Sequence, residues 1–177
     1  SKLYNDGSSK QDAALLEQAA HLARQAHSAQ PGYVPGINLL CRIELRRNRP
    51  HQAQRWVELG LSLKPNSVNL LYSAGHVDLA LNDLDAAEQH FAKAARISRS
   101  ATKAAHYLAH VKLKQGAYVE AFQQFRELTR TGHPSRELRS LLFEASAHIS
   151  ADFYSEELEQ DVLRYLDFND VDYGQLR

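Results

Sequence analysis

The 177-residue chain contains no methionine and a single cysteine, Cys41. One cysteine excludes an internal disulfide, which favours a reducing compartment, the cytoplasm, over the periplasm. Cys41 is expected to be a small packed thiol, because free cysteine is among the most buried residue types. The lack of methionine and a start at Ser1 are what a fragment or processed chain shows, so targeting information is expected to lie outside this sequence. No apolar run approaches the roughly 20 residues needed to span a bilayer, and charges and histidines occupy the N-terminal region where a signal peptide needs an apolar core. Membrane insertion is therefore not expected. Charge of one sign is lacking too: 21 basic and 21 acidic residues give a formal net charge of zero. No global field draws the chain to nucleic acid or to an anionic membrane. Glycine-rich phosphate loops, paired-cysteine metal sites and nucleophile elbows are all missing, so neither a cofactor nor a catalytic residue is assigned.

What is present is a period. With 44% apolar residues the chain is long enough for one ordered domain or for a short array of repeats sharing a continuous core. Ala87, Phe91 and Ala94 recur at spacings of four and three, which lines one stripe of a helix. Thirty-four residues onward stand Ala121, Phe125 and Leu128, and 34 back stand Ala53, Val57 and Gly60. A further step back reaches Ala19, Ala23 and Ala26. Four matches on one fixed period define a repeat. The small residues mark where another helix must come close.

Residues 1–10 are rich in Gly, Ser and Asn and are expected to form a leader or disordered end. A helix over Gln11 to Ala29, with Leu15, Leu16, Ala19, Leu22, Ala23 and Ala26 on its apolar face, stops at Gln30-Pro31-Gly32. Helical hairpins are then expected over 31–67, 68–101 and 102–135. Their turn residues Asn48, Asn82 and Gly116 are also 34 apart, and these types accept a left-handed backbone cheaply. Residues 136–168 are expected to form a divergent hairpin or capping helix pair, with Ser155 as an N-cap. Residues 169–177 are expected to begin a continuation or linker.

These features resemble the tetratricopeptide repeat (TPR) family. The family's small residue where the two helices touch corresponds to Cys41, Gly75 and Ala109, and its small residue opening the second helix to Ala53, Ala87 and Ala121. Its bulky residue four further on is Val57, Phe91 and Phe125. The closing proline is Pro31 and Pro65, replaced by Arg99 and displaced to Pro134. The family's large aromatic early in the first helix is Ile37, Leu71 and Ala105 here, a departure. The resemblance implies an all-α fold, a right-handed superhelical array of antiparallel helix pairs, in which 11–30 is a second helix without its first. It also implies a concave groove lined by first helices and a protein or peptide partner.

The groove positions so implied are Asn38, Arg42, Leu45 and Arg46; Asn69, Tyr72, His76 and Leu79; and Lys103, His106, His110, Leu113 and Lys114. The set is polar and basic over an apolar floor, and no acidic residue joins it before Glu144. An acidic partner segment with interspersed apolar residues is the expected ligand. The three histidines add a conditional charge, since histidine ordinarily titrates near pH 6.5. His106 and His110 stand four apart on one helical face, but a metal needs further ligands and His76 lies one repeat away, so no metal site is assigned. The calcium-loop look of Asn169 to Gly174 is likewise set aside, because the glycine falls too early and no closing glutamate follows. A chaperone carboxylate clamp is disfavoured: of Asn38, Arg42, Ser73, Lys103 and Tyr107, only Lys103 matches that subfamily. The competing function is an accessory TPR region of a larger enzyme, such as a methyltransferase, glycosyltransferase or oxygenase.

Overall fold

Proline and glycine punctuation divides the chain into helices, and in the computed structural model the described residues form eight α-helices. Residues 2–98, 101–131 and 136–149 are described, and they form two compact units, Ser1–Ser100 and Ala101–Arg177. The first unit holds α1 (Lys2–Ala29), α2 (Val34–Arg46), α3 (Pro50–Leu63), α4 (Val68–Leu81) and α5 (Leu84–Ile97). The second holds α6 (Ala101–Lys114), α7 (Tyr118–Thr131) and α8 (Arg136–Ala147). There is no strand among the described residues. Of the helix pair expected over 136–168, the part after Ile149, Ser155 included, lies outside them, as does the segment 169–177.

The turns explain the spacing. After α2, the Asn48 amide donates to the Leu45 carbonyl at 2.9 Å and the Arg49 amide to Glu44 at 2.9 Å. Asn82 and Asp83 repeat this with Leu79 and Asp78, at 3.2 and 2.8 Å. Gly116 and Ala117 repeat it with Leu113 and Lys112, at 3.1 and 3.0 Å. Such paired bonds close a helix when the residue after its C-cap region adopts positive φ. Asn48, Asn82 and Gly116 do so, at 55°, 61° and 81°. Each following helix starts at once: Pro50 opens α3, where a missing amide costs nothing, and the Asp83 carboxylate caps α5 by accepting from the Ala86 amide at 3.1 Å.

Packing follows from the small residues. In the first unit Cys41, Ala53, Val57, Leu70, Ala74 and Val77 form one buried cluster joining α2, α3 and α4. Six successive residues of α4, Leu70 to Gly75, are buried, because α2, α3 and α5 all pack on it. A Cβ at Gly75 would lie 2.5 Å from the Phe91 ring, and one at Gly60 2.8 Å from Leu70. These glycines therefore set how closely the helices approach. In the second unit Ala109, Ala121, Phe122 and Phe125 pack against Leu138, Leu141, Leu142 and Ala145 of α8.

α1 departs from the sequence expectation in two ways. It begins at Lys2, so residues 2–10, expected as a leader, continue the helix. No proline precedes Pro31, and Gly7 costs a helix interior only about 1 kcal/mol. Its buried stripe also differs: Ala20 and Ala23 are covered, by Leu40 and Ile43 of α2 and Trp56 of α3, whereas Leu15, Leu22 and Ala26 are exposed.

Candidate functional site

In the first unit, α2 and α4 touch directly, so their facing residues share a surface. The Ser73 hydroxyl donates to the Asn38 carboxamide oxygen at 2.7 Å, a polar tie between two first helices 35 residues apart. Around it Arg42, Arg46 and Asn69 are exposed, and Asn38, Leu45, His76 and Leu79 are half-buried. Leu45 rests on the core around Cys41 and Val57. His76 stands edge-on to the Phe91 ring, with centroids 5.6 Å apart.

Tyr72 does not offer its ring to a ligand. It is 5% exposed and packs on Phe91 at 6.2 Å between centroids. Burial pushes its phenol above the ordinary pKa, and a hydrogen bond with Ser98 pulls the other way. In the second unit Lys103 and Lys114 are exposed and His106 and His110 half-buried, with His106 meeting the Tyr107 and Phe125 rings at 5.4 and 6.2 Å. Leu113, expected in the groove floor, is 4% exposed and belongs to the core with Phe122 and Phe125.

Three features lay outside the sequence expectation. The Glu44 carboxylate, 2% exposed, accepts from Arg24 at 2.8 Å and from Arg47 at 2.9 and 3.1 Å, and Arg47 also pairs with Glu17. This ion cluster clamps α1 to α2. His90 Nδ1 lies 2.6 Å from the Asp78 carboxylate, bracketing the turn between α4 and α5. Beside it opens a cleft of about 530 Å³, floored by Leu61, Leu71 and Ala92 and rimmed by Glu88, His90, Lys93 and Arg96. The Lys93 ammonium donates to the Pro65 carbonyl at 3.0 Å across this cleft. Among the described residues no group of three or more His, Cys, Asp or Glu side chains could hold a metal ion, and no helix is long and apolar enough to cross a membrane.

The same arrangement of consecutive helical hairpins is present in solved structures. MamA superposes with a TM-score of 0.66 at 15% identity, over 91% of this chain and 90% of that one. The fold is that of the tetratricopeptide repeat. PilF of Pseudomonas aeruginosa matches with a TM-score of 0.71 at 15% identity, covering 92% of this chain and 71% of PilF. YrrB, described as a TPR protein with an unusual peptide-binding site, matches with a TM-score of 0.60 at 18% identity, over 92% and 79% of the two chains. At these identities the likeness establishes the TPR fold. No family model and no curated protein sequence matches the chain.

Proposed function

We propose that this TPR chain is a non-enzymatic scaffold that holds an acidic segment of a partner protein, with interspersed apolar residues, along its first helices. The observation that carries the reading is the surface shared by α2 and α4. Arg42 and Arg46 stand exposed one turn apart, beside Asn69 and His76, over the half-buried side chains of Leu45 and Leu79. The carboxylates of these two helices point to other tasks, Glu44 in the ion cluster with α1 and Asp78 on His90. The surface thus presents cations beside apolar area, which suits carboxylates alternating with apolar side chains. On α6 of the second unit Lys103 and Lys114 are exposed and His106 and His110 half-buried, a basic set of its own. YrrB supplies a parallel, as a TPR protein described with a peptide-binding site.

The test is a fluorescence-anisotropy titration against an array of synthetic acidic peptides with leucine or phenylalanine at alternate positions. Binding should weaken with added salt, because charges at an open surface are screened within about 8 to 10 Å at physiological ionic strength. The pair Arg42→Glu with Arg46→Glu should abolish it. Binding that survives this reversal places the ligand elsewhere, and substitutions at Lys93 and Arg96 then ask whether the α5 cleft takes it.

A further inference from the structure

Leu15 and Leu22 are the two most exposed large apolar side chains among the described residues, at 56% and 64%. With Ala19 and Ala26 they form a stripe at spacings of four, three and four, the a/d seam of a heptad. The repeat pattern does not call for these leucines. The residues one, two and three periods after Leu15 are Arg49, Asp83 and Ala117, and those after Leu22 are Trp56, His90 and Gln124.

The same register shows what kind of object the stripe fits. Counterparts of Ala19 are Ala53 and Ala87, and Ala121 in the second unit, all fully buried beneath a first helix. Counterparts of Ala26 include Gly60 and Ala94, also buried. On α1, Ala26 is exposed and Ala19 only half-buried. This face has the form that elsewhere in the chain receives a helix, and it carries two additional leucines.

We propose that α1 is a self-association helix, and that its exposed stripe takes the α1 of a second copy of this chain in antiparallel two-fold contact. Antiparallel pairing about the midpoint between Ala20 and His21 sets Leu15 against the partner's Ala26 and Ala19 against the partner's Leu22. Every layer then matches a large residue to a small one, so the helices approach closely without either a void or a clash. A parallel pair would instead stack leucine on leucine and alanine on alanine. The flanking residues on the open side, Gln18 and Gln25, are exposed and uncharged, so the two-fold operation brings no like charges together. Nearest the stripe's midpoint, the ionic side chains Glu17 and Arg24 are turned to Arg47 and Glu44 on the opposite flank. Four layers of one helix pair bury less than the roughly 1,200 Å² of a stable interface, so association is governed by mass action.

Sedimentation equilibrium over a concentration series tests this with the chain as it stands. The weight-average mass should climb with concentration from the 20.0 kDa of one chain toward twice that value. Two variants separate the seam from any other contact: Leu15→Glu with Leu22→Glu, and Ala19→Lys with Ala26→Lys. Each should stay at the single-chain mass with an unchanged far-ultraviolet spectrum. Mixed in equal amounts they should recover the doubled mass, because the antiparallel register places each glutamate against a lysine. A single-chain mass for the unsubstituted protein at every concentration overturns the proposal and leaves the face to a helix of another protein. Doubling that persists in either variant overturns it as well, and a mixture that stays at the single-chain mass overturns the antiparallel pairing.

Discussion

At the scale of single residues, the stability of each hairpin depends on groups that are small rather than large. The Phe91 ring occupies the space a side chain at Gly75 would need, and Ala87 is fully buried on the facing helix. Gly75→Ala and Ala87→Leu should therefore each cost about 1 to 3 kcal/mol by overpacking, and Phe91→Ala about 3 to 5 kcal/mol through the cavity it leaves. Urea titration measures all three, and an unchanged midpoint for Ala87→Leu would place the helix contact elsewhere. Cys41 stands one period before Gly75, in the buried cluster with Ala53 and Val57. Burial pushes its thiol up to about 12, only partly offset by the Arg42 guanidinium. A raised pKa disfavours the thiolate, so at pH 8 roughly one thiol in ten thousand is ionised. Alkylation of the folded chain at pH 8 should be slow and should accelerate sharply in denaturant. Prompt labelling of the native protein would contradict the packing around Cys41.

At the scale of elements, legibility tracks how local the deciding interaction is. The turns at Asn48, Asn82 and Gly116 were readable because positive φ is a property of one residue and its immediate hydrogen bonds. The stripe Ala53, Val57 and Gly60 was readable because it repeats. The orientation of α1 was not, since it carries two adjacent apolar stripes. Only the distant partners Leu40, Ile43 and Trp56 decide that Ala20 and Ala23 turn inward while Leu15 and Leu22 do not. Tyr72 shows the same limit: its register puts it beside His76, but the Phe91 ring draws it into the core. The cluster of Glu17, Arg24, Glu44 and Arg47 had no period to announce it, as its members come from two helices and meet only in the fold. Glu44→Ala would leave Arg47, whose side chain is 7% exposed, without its buried partner. The expected cost is roughly 1 to 3 kcal/mol, since the buried guanidinium loses hydrogen bonds but keeps the exposed Glu17 carboxylate. Amides of α1 should lose hydrogen-exchange protection first, and Glu44→Gln, which keeps an acceptor, should restore part of it. Equal loss across α1 to α5 would mean that the cluster does not act as a clamp between two helices.

At the scale of the whole molecule, each unit closes its own core. Cys41, Ala53, Val57, Leu70, Ala74 and Val77 pack among themselves in the first, and Ala109, Phe122, Phe125, Leu138 and Leu142 in the second. A helical-repeat chain built from such local contacts behaves as a sum of repeat stabilities and nearest-neighbour terms, so damage stays near its source. Phe125 is fully buried, and Phe125→Ala should cost about 3 to 5 kcal/mol in the second unit. Hydrogen exchange should then quicken in α6, α7 and α8 while α2 and α3 keep their protection, because local opening draws on the free energy of the unit that opens. Phe91→Ala should produce the mirror result, with α4 and α5 exposed and α7 and α8 protected. If either substitution quickens exchange uniformly through both sets of helices, the chain unfolds as one cooperative body and the additive description fails.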